Sequence, residues 1–344
     1  MLFAPEEGIF MRRVLRWCTL AGTAAGLLAL TVPASAATGW TVVTPPAGTA
    51  GDELAGSYAL SDTDAWVVGA DPSTAAPVAL NWNGTTWSSV PTPTPSGSAP
   101  DWSFKSVAAS SATDAWAVGE QVAGTKIHDS LYEHWNGTAW SVVSGPNEGV
   151  LNAVLDFSPT NAWAFADFSV LHWNGTAWSV VSGAVPALEV SADGPNDIWG
   201  VYRNNQITHY NGTSWSVYTL SEPSGTAFES VEALSPADVW VAGTNGTGPL
   251  IERFNGTSWK TMTTPSSFAN TGIPAITARS DSDVWIFGYN QAIANWNGSS
   301  WTTSPSPLPS GTEFTFSSAA NSPSHIWAFG TDDTSGEPLI LSHS

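Results

Sequence analysis

Seven times along this 344-residue chain, a Ser-x-x-Asp turn signal leads through one small or branched residue into a tryptophan. Four copies are plain: Ser61 to Trp66, Ser111 to Trp116, Ser235 to Trp240 and Ser280 to Trp285. Three vary. Ser158 to Trp163 has Asn161 for the Asp, Asp193 to Trp199 is one residue longer, and Ser322 to Trp327 has His325 for the Asp. The six steps from Trp66 to Trp327 average about 43.5 residues. A period of that size marks one supersecondary unit, copied and stacked so that neighbours bury each other.

A second motif follows the first in most units. Trp82-Asn83-Gly84-Thr85-Thr86-Trp87 returns at Trp135 to Trp140 and at Trp173 to Trp178. Weaker copies lie at Tyr210 to Trp215, Phe254 to Trp259 and Trp296 to Trp301. Asn-Gly predicts a hairpin corner in which both central residues take positive φ. An even-length loop sets the two flanking aromatics on one face, because strand side chains alternate with period two.

The unit therefore reads as four strands. The first is apolar and small, as in Ser106 to Ala109, and the Ser-x-x-Asp turn ends it, its side chains bonding nearby backbone N–H groups. The second carries the Trp and is apolar on both faces, as in Trp116 to Gly119, which predicts burial on both sides. The third ends in the first aromatic of the corner. The fourth, as in Trp140 to Val143, alternates Ser or Thr with apolar residues and is expected outermost.

Seven such sheets predict an all-β, seven-bladed β-propeller with four antiparallel strands per blade. A linear solenoid would require polar capping repeats, and none is visible. The ends are complementary. The last unit stops at Leu339 to Ser344, inside its third strand, while Gly39-Trp40-Thr41-Val42-Val43 is a fourth strand without a unit. Residues 39–43 are expected to complete blade seven beside residues 338–343, closing the ring and leaving no edge there.

The single glycine ending the second strand (Gly69, Gly119, Gly243, Gly288, Gly330), followed by the aromatic and Trp of the corner, resembles kelch-type propellers and the galactose-oxidase-like central domain. It also resembles secreted actinobacterial propeller proteins with Trp-Asn-Gly-Thr-x-Trp corners. The resemblance covers about residues 37–344 and implies architecture rather than activity.

Residues 1–36 read as a secretory signal, with Met11 as an alternative start. Arg12, Arg13 and Arg16 precede the apolar run Leu20 to Val32, and Ala34-Ser35-Ala36 is a small-x-small cleavage site. The mature domain, 37–344, is expected to be extracellular. The sole cysteine, Cys18, leaves with the signal, so the mature chain has no disulfide, thiol nucleophile or Cys-based zinc site. Cleavage leaves 6 basic against 27 acidic side chains, a net −21. Such a surface repels nucleic acid and anionic lipid and favours solubility and cationic partners. No run beyond the signal is long enough to span a bilayer.

The tryptophans recur in fixed slots, which predicts packing between blades rather than sugar stacking. His134, His172 and His209 share one slot of the third strand in successive blades, and read as separate outward polar residues rather than a metal set. No metal or cofactor is expected. Functional residues are expected where the repeats disagree, on the loops joining second to third strands and blade to blade, around the channel mouth. Trp102, His128, Tyr202, Arg203 and Tyr289 are the candidate ligand-binding residues there, with Lys126, Asp167 and Asn290 nearby. Lys105, Asn152 and Glu229 align at the start of the first strand, beside the same entrance.

The expected function is a secreted, monomeric binding module for an extracellular carbohydrate or protein, with no catalytic residues. Two alternatives stay open. One is an extracellular glycan hydrolase or lyase using Asp101, Glu120, His128, Asp129 and Glu148, which needs two carboxyls converging on the bond. The other is a purely structural surface protein.

Overall fold

The computed structural model describes residues 39–93, 101–123, 127–203, 205–223, 225–269, 271–309, 314–333 and 335–344. The expected signal, residues 1–36, and Lys126 lie outside the described residues.

The chain enters through β1 (Thr41–Val43). Blade one is β2 (Glu53–Ser61), β3 (Asp64–Asp71), β4 (Ala76–Trp82) and β5 (Trp87–Ser89). Blade two is β6 (Asp101–Ser111), β7 (Asp114–Ala123), β8 (Ile127–Trp135) and β9 (Trp140–Val142). Blade three is β10 (Leu151–Ser158), β11 (Asn161–Ala166), β12 (Val170–Trp173) and β13 (Trp178–Val180). Blade four is β14 (Glu189–Gly194), β15 (Asp197–Tyr202), β16 (Gln206–Tyr210) and β17 (Trp215–Thr219). Blade five is β18 (Ala227–Ser235), β19 (Asp238–Thr244), β20 (Pro249–Phe254) and β21 (Trp259–Thr261). Blade six is β22 (Ala275–Ser280), β23 (Asp283–Gly288), β24 (Ala292–Trp296) and β25 (Trp301–Ser304). β26 (Phe314–Asn321), β27 (Ile326–Asp332) and β28 (Pro338–His343) belong to blade seven.

Every sheet is antiparallel and, in the first six blades, pairs in chain order. First strands of consecutive blades touch, from β2 to β6 and on to β26, and β26 touches β2. The first strand is therefore innermost, and the seven-bladed ring is closed. The seventh sheet runs β1-β28-β27-β26, with Thr41 opposite Ser342, Val42 opposite Leu341 and Val43 opposite Ile340. Residues 39–43 thus complete the last blade, as the complementary ends predict.

The cores lie between blades. One cluster joins Trp66 and Val68 of blade one to Phe104, Val107, Leu131 and Trp140 of blade two. The second-strand tryptophans Trp66, Trp116, Trp199, Trp240 and Trp327 are almost wholly buried. Each lies beside the fourth-strand tryptophan of the next blade. Trp66 meets Trp140 at 5.1 Å and 81°, Trp116 meets Trp178 at 5.0 Å and 81°, and Trp327 meets Trp87 at 5.3 Å and 83°. Edge-to-face geometry sets the positive ring edge on a negative ring face.

The corners differ from expectation in one respect. Gly84 has φ +93° and Gly137 φ +90°, but no corner Asn has positive φ. Trp82 pairs with Trp87, so the loop holds four residues, not two. Asn83 contributes its side chain instead: Oδ1 accepts from the amides of Thr85 and Thr86, both at 3.0 Å, and from the Thr85 hydroxyl at 2.8 Å. Asn136, Asn174, Asn211, Asn255 and Asn297 repeat this. Asparagine is selected as a local acceptor, as in an Asx-turn. The Ser-x-x-Asp turns behave as expected at serine, where Ser61 Oγ accepts from the Thr63 amide at 3.2 Å.

The first-to-second-strand turns and the Asn-Gly corners share one face of the ring, here the corner face. The loops joining second to third strands and blade to blade share the other, the loop face.

Candidate functional site

The loop face is built where the blades break their own pattern. The innermost strands slip register between Phe104 and Ser106, Leu151 and Ala153, and Phe228 and Ser230. The extra residue at each slip is Lys105, Asn152 or Glu229. A β-bulge of this kind re-aims one side chain out of the ladder. In blades two and five glycine on the next strand makes room: a Cβ on Gly119 would stand 2.0 Å from the Ser103 carbonyl oxygen, and one on Gly243 2.0 Å from that of Ala227. The three aligned residues are thus the bulge residues, turned toward partners at the loop end.

In blade two, Lys105 Nζ lies 3.0 Å from Glu120 Oε1, and His128 Nδ1 bonds Glu120 Oε2. Glu120 is only 8% exposed. Burial pushes its carboxyl up, but the hydrogen bonds and charges of Lys105 and His128 outweigh that and hold it below the ordinary range. A carboxylate pinned between two donors is an ion-pair anchor and a poor general acid. Of the other acidic candidates, Asp129 bonds the Asn147 amide and the Glu148 backbone N–H donates to Ser130 Oγ at 2.9 Å. Asp101 is exposed at the start of β6.

Blades three and four join through Asp167. Its Oδ1 accepts from Asn152 Nδ2 and its Oδ2 from Arg203 Nη2, both at 3.0 Å, and its backbone carbonyl accepts the Tyr202 hydroxyl. The Arg203 guanidinium lies 5.6 Å from the Phe168 ring centroid and 5.9 Å from that of Tyr202. Phe168, in the tight turn between β11 and β12, is 78% exposed, the most open large apolar side chain described. Sequence reasoning passed over it. Its signal is a phenylalanine in a turn too short to bury it, between Asp167 and Ser169.

Blades five and six meet through the Tyr289 hydroxyl, 3.4 Å from Glu229 Oε2. Burial raises the Glu229 carboxyl. Asn290 and Gln291 follow with φ +60° and +65°. Ala75 and Asn205 are the other described non-glycine residues with positive φ, and all four lie in second-to-third-strand loops. Backbone strain of this kind concentrates at functional loops.

Trp102 has a different place from the other candidates. It is 5% exposed, packed between blades one and two with Trp66 and Phe104, and its indole offers no open face to a ligand. The departure from the repeat there puts it on a loop in the sequence reading; it lies in the long innermost strand β6. His128, Tyr202, Arg203 and Tyr289 do reach the loop face, in three groups held by separate bonds.

The third-strand histidines are not free polar residues of an outer face. His134 Nε2 bonds Asp114 at 2.6 Å, His172 Nε2 lies 2.9 Å from Asn161 Oδ1, and His209 Nε2 lies 2.8 Å from Asp197 Oδ1. Each is engaged within its own blade by the acid or amide of the turn. Among the described residues no three His, Asp or Glu side chains are grouped as a metal ion requires. No helix among them is long and apolar enough to cross a membrane.

No family model and no curated protein matches this chain. Solved structures do. YCF48 bound to D1 peptide superposes with a TM-score of 0.64 at 14% identity, over 88% of this chain and 96% of that one. The WD40 propeller domain of Doa1 gives 0.64 at 12% identity, over 89% and 97%. A catalytically inactive virginiamycin B lyase from Staphylococcus aureus with quinupristin gives 0.66 at 11%, over 89% and 99%. At these identities the likeness is one of fold: all are similar to this chain as β-propellers.

Proposed function

We propose that this chain is an exported interaction module whose loop face takes a segment of a partner protein, anchored at Phe168, Tyr202 and Arg203. The carrying observation is the open Phe168 ring beside a guanidinium and a second aromatic. Aromatic and arginine side chains dominate interface hot spots. An apolar ring left in water contributes little to the fold and stays available to a partner; full burial of such a side chain is worth roughly 1.5–3 kcal/mol. The propeller structure with a bound peptide among its fold neighbours agrees with this reading.

Protein is preferred to carbohydrate because every described tryptophan is buried or half-buried. None is among the exposed large apolar side chains that Phe168 heads. Of the acids that the enzymatic alternatives would use, Glu120 is bound as an ion-pair anchor.

Selection of peptides from a random displayed library on the immobilised full chain tests the module. Enrichment that disappears in Phe168→Ala is expected; enrichment indifferent to Phe168, or none, sinks the reading. Export is tested by the mature terminus, expected at Ala37.

A further inference from the structure

Resting on that reading, we infer that the partner segment is anchored by an aromatic side chain whose ring packs on the open part of Phe168, and that recognition there is neutral rather than ionic.

The anchor is already charge-balanced. Arg203 fills the space beside the two rings, its guanidinium 5.6 Å from the Phe168 centroid and 5.9 Å from that of Tyr202, and its Nη2 donates to Asp167 Oδ2 at 3.0 Å. The acceptors of Asp167 are engaged in turn: Oδ1 by Asn152, Oδ2 by Arg203 and the backbone carbonyl by the Tyr202 hydroxyl. An incoming arginine or lysine would have to displace Arg203 from both rings and from its carboxylate. An acidic segment would meet a chain with 29 acidic against 9 basic side chains, and the summed charge opposes its approach.

What stands open is apolar and planar. The Phe168 ring is 78% exposed with Arg203 in place. The other open large apolar side chains described, Val42, Val142, Val180 and Val217, lie on outermost strands and not in the loops that carry Phe168 and Arg203. The apolar contact at this anchor therefore falls on one ring. A lone ring discriminates among apolar partners by geometry, because an offset or edge-to-face aromatic pair adds roughly two- to tenfold in affinity beyond the area it buries. Arg203 supplies direction. Its side chain is half-exposed, and a guanidinium carries several N–H donors, so beyond the bond to Asp167 it can donate to a backbone carbonyl of the segment. Such a carbonyl adds no net charge to the balanced pair.

The test uses the full chain and end-blocked, fluorescent Gly-Ser peptides of about a dozen residues with a central Trp, Phe, Leu or Arg. Saturable binding of the Trp and Phe peptides is expected, roughly two- to tenfold tighter than that of the Leu peptide, and nearly the same at low and high salt. Phe168→Ala is expected to weaken it at least about tenfold. Phe168→Tyr keeps the ring and is expected to keep the binding, whereas Phe168→Leu keeps apolar bulk alone and is expected to lose the preference for Trp and Phe over Leu. The position is exposed, and circular dichroism checks the fold of each variant. Four outcomes overturn the inference: no binding of the Trp and Phe peptides into the millimolar range, equal binding of the Leu peptide, tighter binding of the Arg peptide, or binding unchanged by Phe168→Ala. The library separates the two claims. Phe168-dependent sequences without aromatic enrichment leave the module standing and remove the aromatic anchor. Absence of any Phe168-dependent sequence removes both.

Discussion

The indole of Trp40 stands edge-on to that of Trp285, ring centroids 5.3 Å apart and planes at 83°. Trp40 immediately precedes β1 and Trp285 lies in blade six, so this one contact spans most of the chain. It repeats what Trp140 does for Trp66 and Trp178 for Trp116. The seventh interface is therefore sealed by the same ring pair as the others, with one partner supplied from the opposite end of the sequence. Trp40→Ala removes a buried indole from that seam and is expected to cost about 3–5 kcal/mol. Denaturant unfolding measures the cost, and hydrogen exchange is expected to rise first in β28, which loses its neighbour β1. Unchanged stability would show that the closing strand is dispensable.

Glu133 gives the chain an unusual pH dependence. It is fully buried on β8, and neither carboxylate oxygen has a hydrogen-bond partner. The same third-strand position holds Leu80 in blade one and Leu171 in blade three. Burial pushes the Glu133 carboxyl up to about 8. Folding therefore retains a proton that the unfolded chain has released above the ordinary carboxylate range. A group of this sign lowers stability as pH rises from that range to about 8, and levels off beyond it. Glu133→Leu is expected to stabilise the chain more near pH 8 than near pH 5, by ~3 kcal/mol. Parallel melting profiles for the two proteins across that window would contradict the assignment.

The corners separate two roles that the sequence merges. Asn136 accepts from the Thr138 and Ala139 amides, both at 3.0 Å. Gly137 holds φ +90°, and a Cβ there would lie 2.7 Å from Thr113 Cγ2. Asn136→Asp keeps an acceptor and is expected to be nearly neutral, whereas Asn136→Ala loses about 1 kcal/mol. Gly137→Ala is expected to cost about 1–2 kcal/mol through backbone strain alone. If both tight-turn residues needed positive φ, Asn136→Gly would be stabilising or neutral; loss of the acceptor makes it destabilising instead, and thermal unfolding of the set decides.

The fold is legible in the sequence because a repeat states each rule seven times. One noisy copy, such as the longer Asp193 to Trp199, is outvoted by the rest, and the complementary ends fix the closure. The site is not legible in the same way, because it lies where each residue occurs once. Nothing in the sequence marks Lys105, Asn152 and Glu229 as bulges; a bulge is a register slip between two strands. Phe168 is a single apolar residue in a polar turn, and Trp102 counts as loop until β6 is seen to begin at Asp101. The third-strand pairs did leave a trace. Six turns carry Asp or Asn with a His, Asn or Arg in the facing slot, while blade seven changes both, to His325 and Ser342.

Those pairs carry the last prediction. His209 lies flat on Trp199, centroids 3.8 Å apart at 12°, and its Nε2 meets Asp197 Oδ1, which also accepts the Trp199 indole N–H at 3.0 Å. In blade five Arg253 does both jobs, bonding Asp238 at 2.7 and 3.0 Å and lying 4.6 Å over the Trp240 ring. In these two blades the turn acid, the ring and the third-strand donor thus form one unit, and the slot accepts a planar donor other than histidine. Removing the donor leaves a buried carboxylate short of a partner, which typically costs about 1–3 kcal/mol. His209→Ala is expected to lose that amount, and His209→Asn, the residue that blades one and six use, to recover most of the hydrogen bond but not the stacking. A double-mutant cycle of His209→Ala with Asp197→Ala is expected to show coupling on the order of 1 kcal/mol. Additive losses would mean that the acid and the histidine stabilise the blade independently, and the unit would reduce to two unrelated contacts.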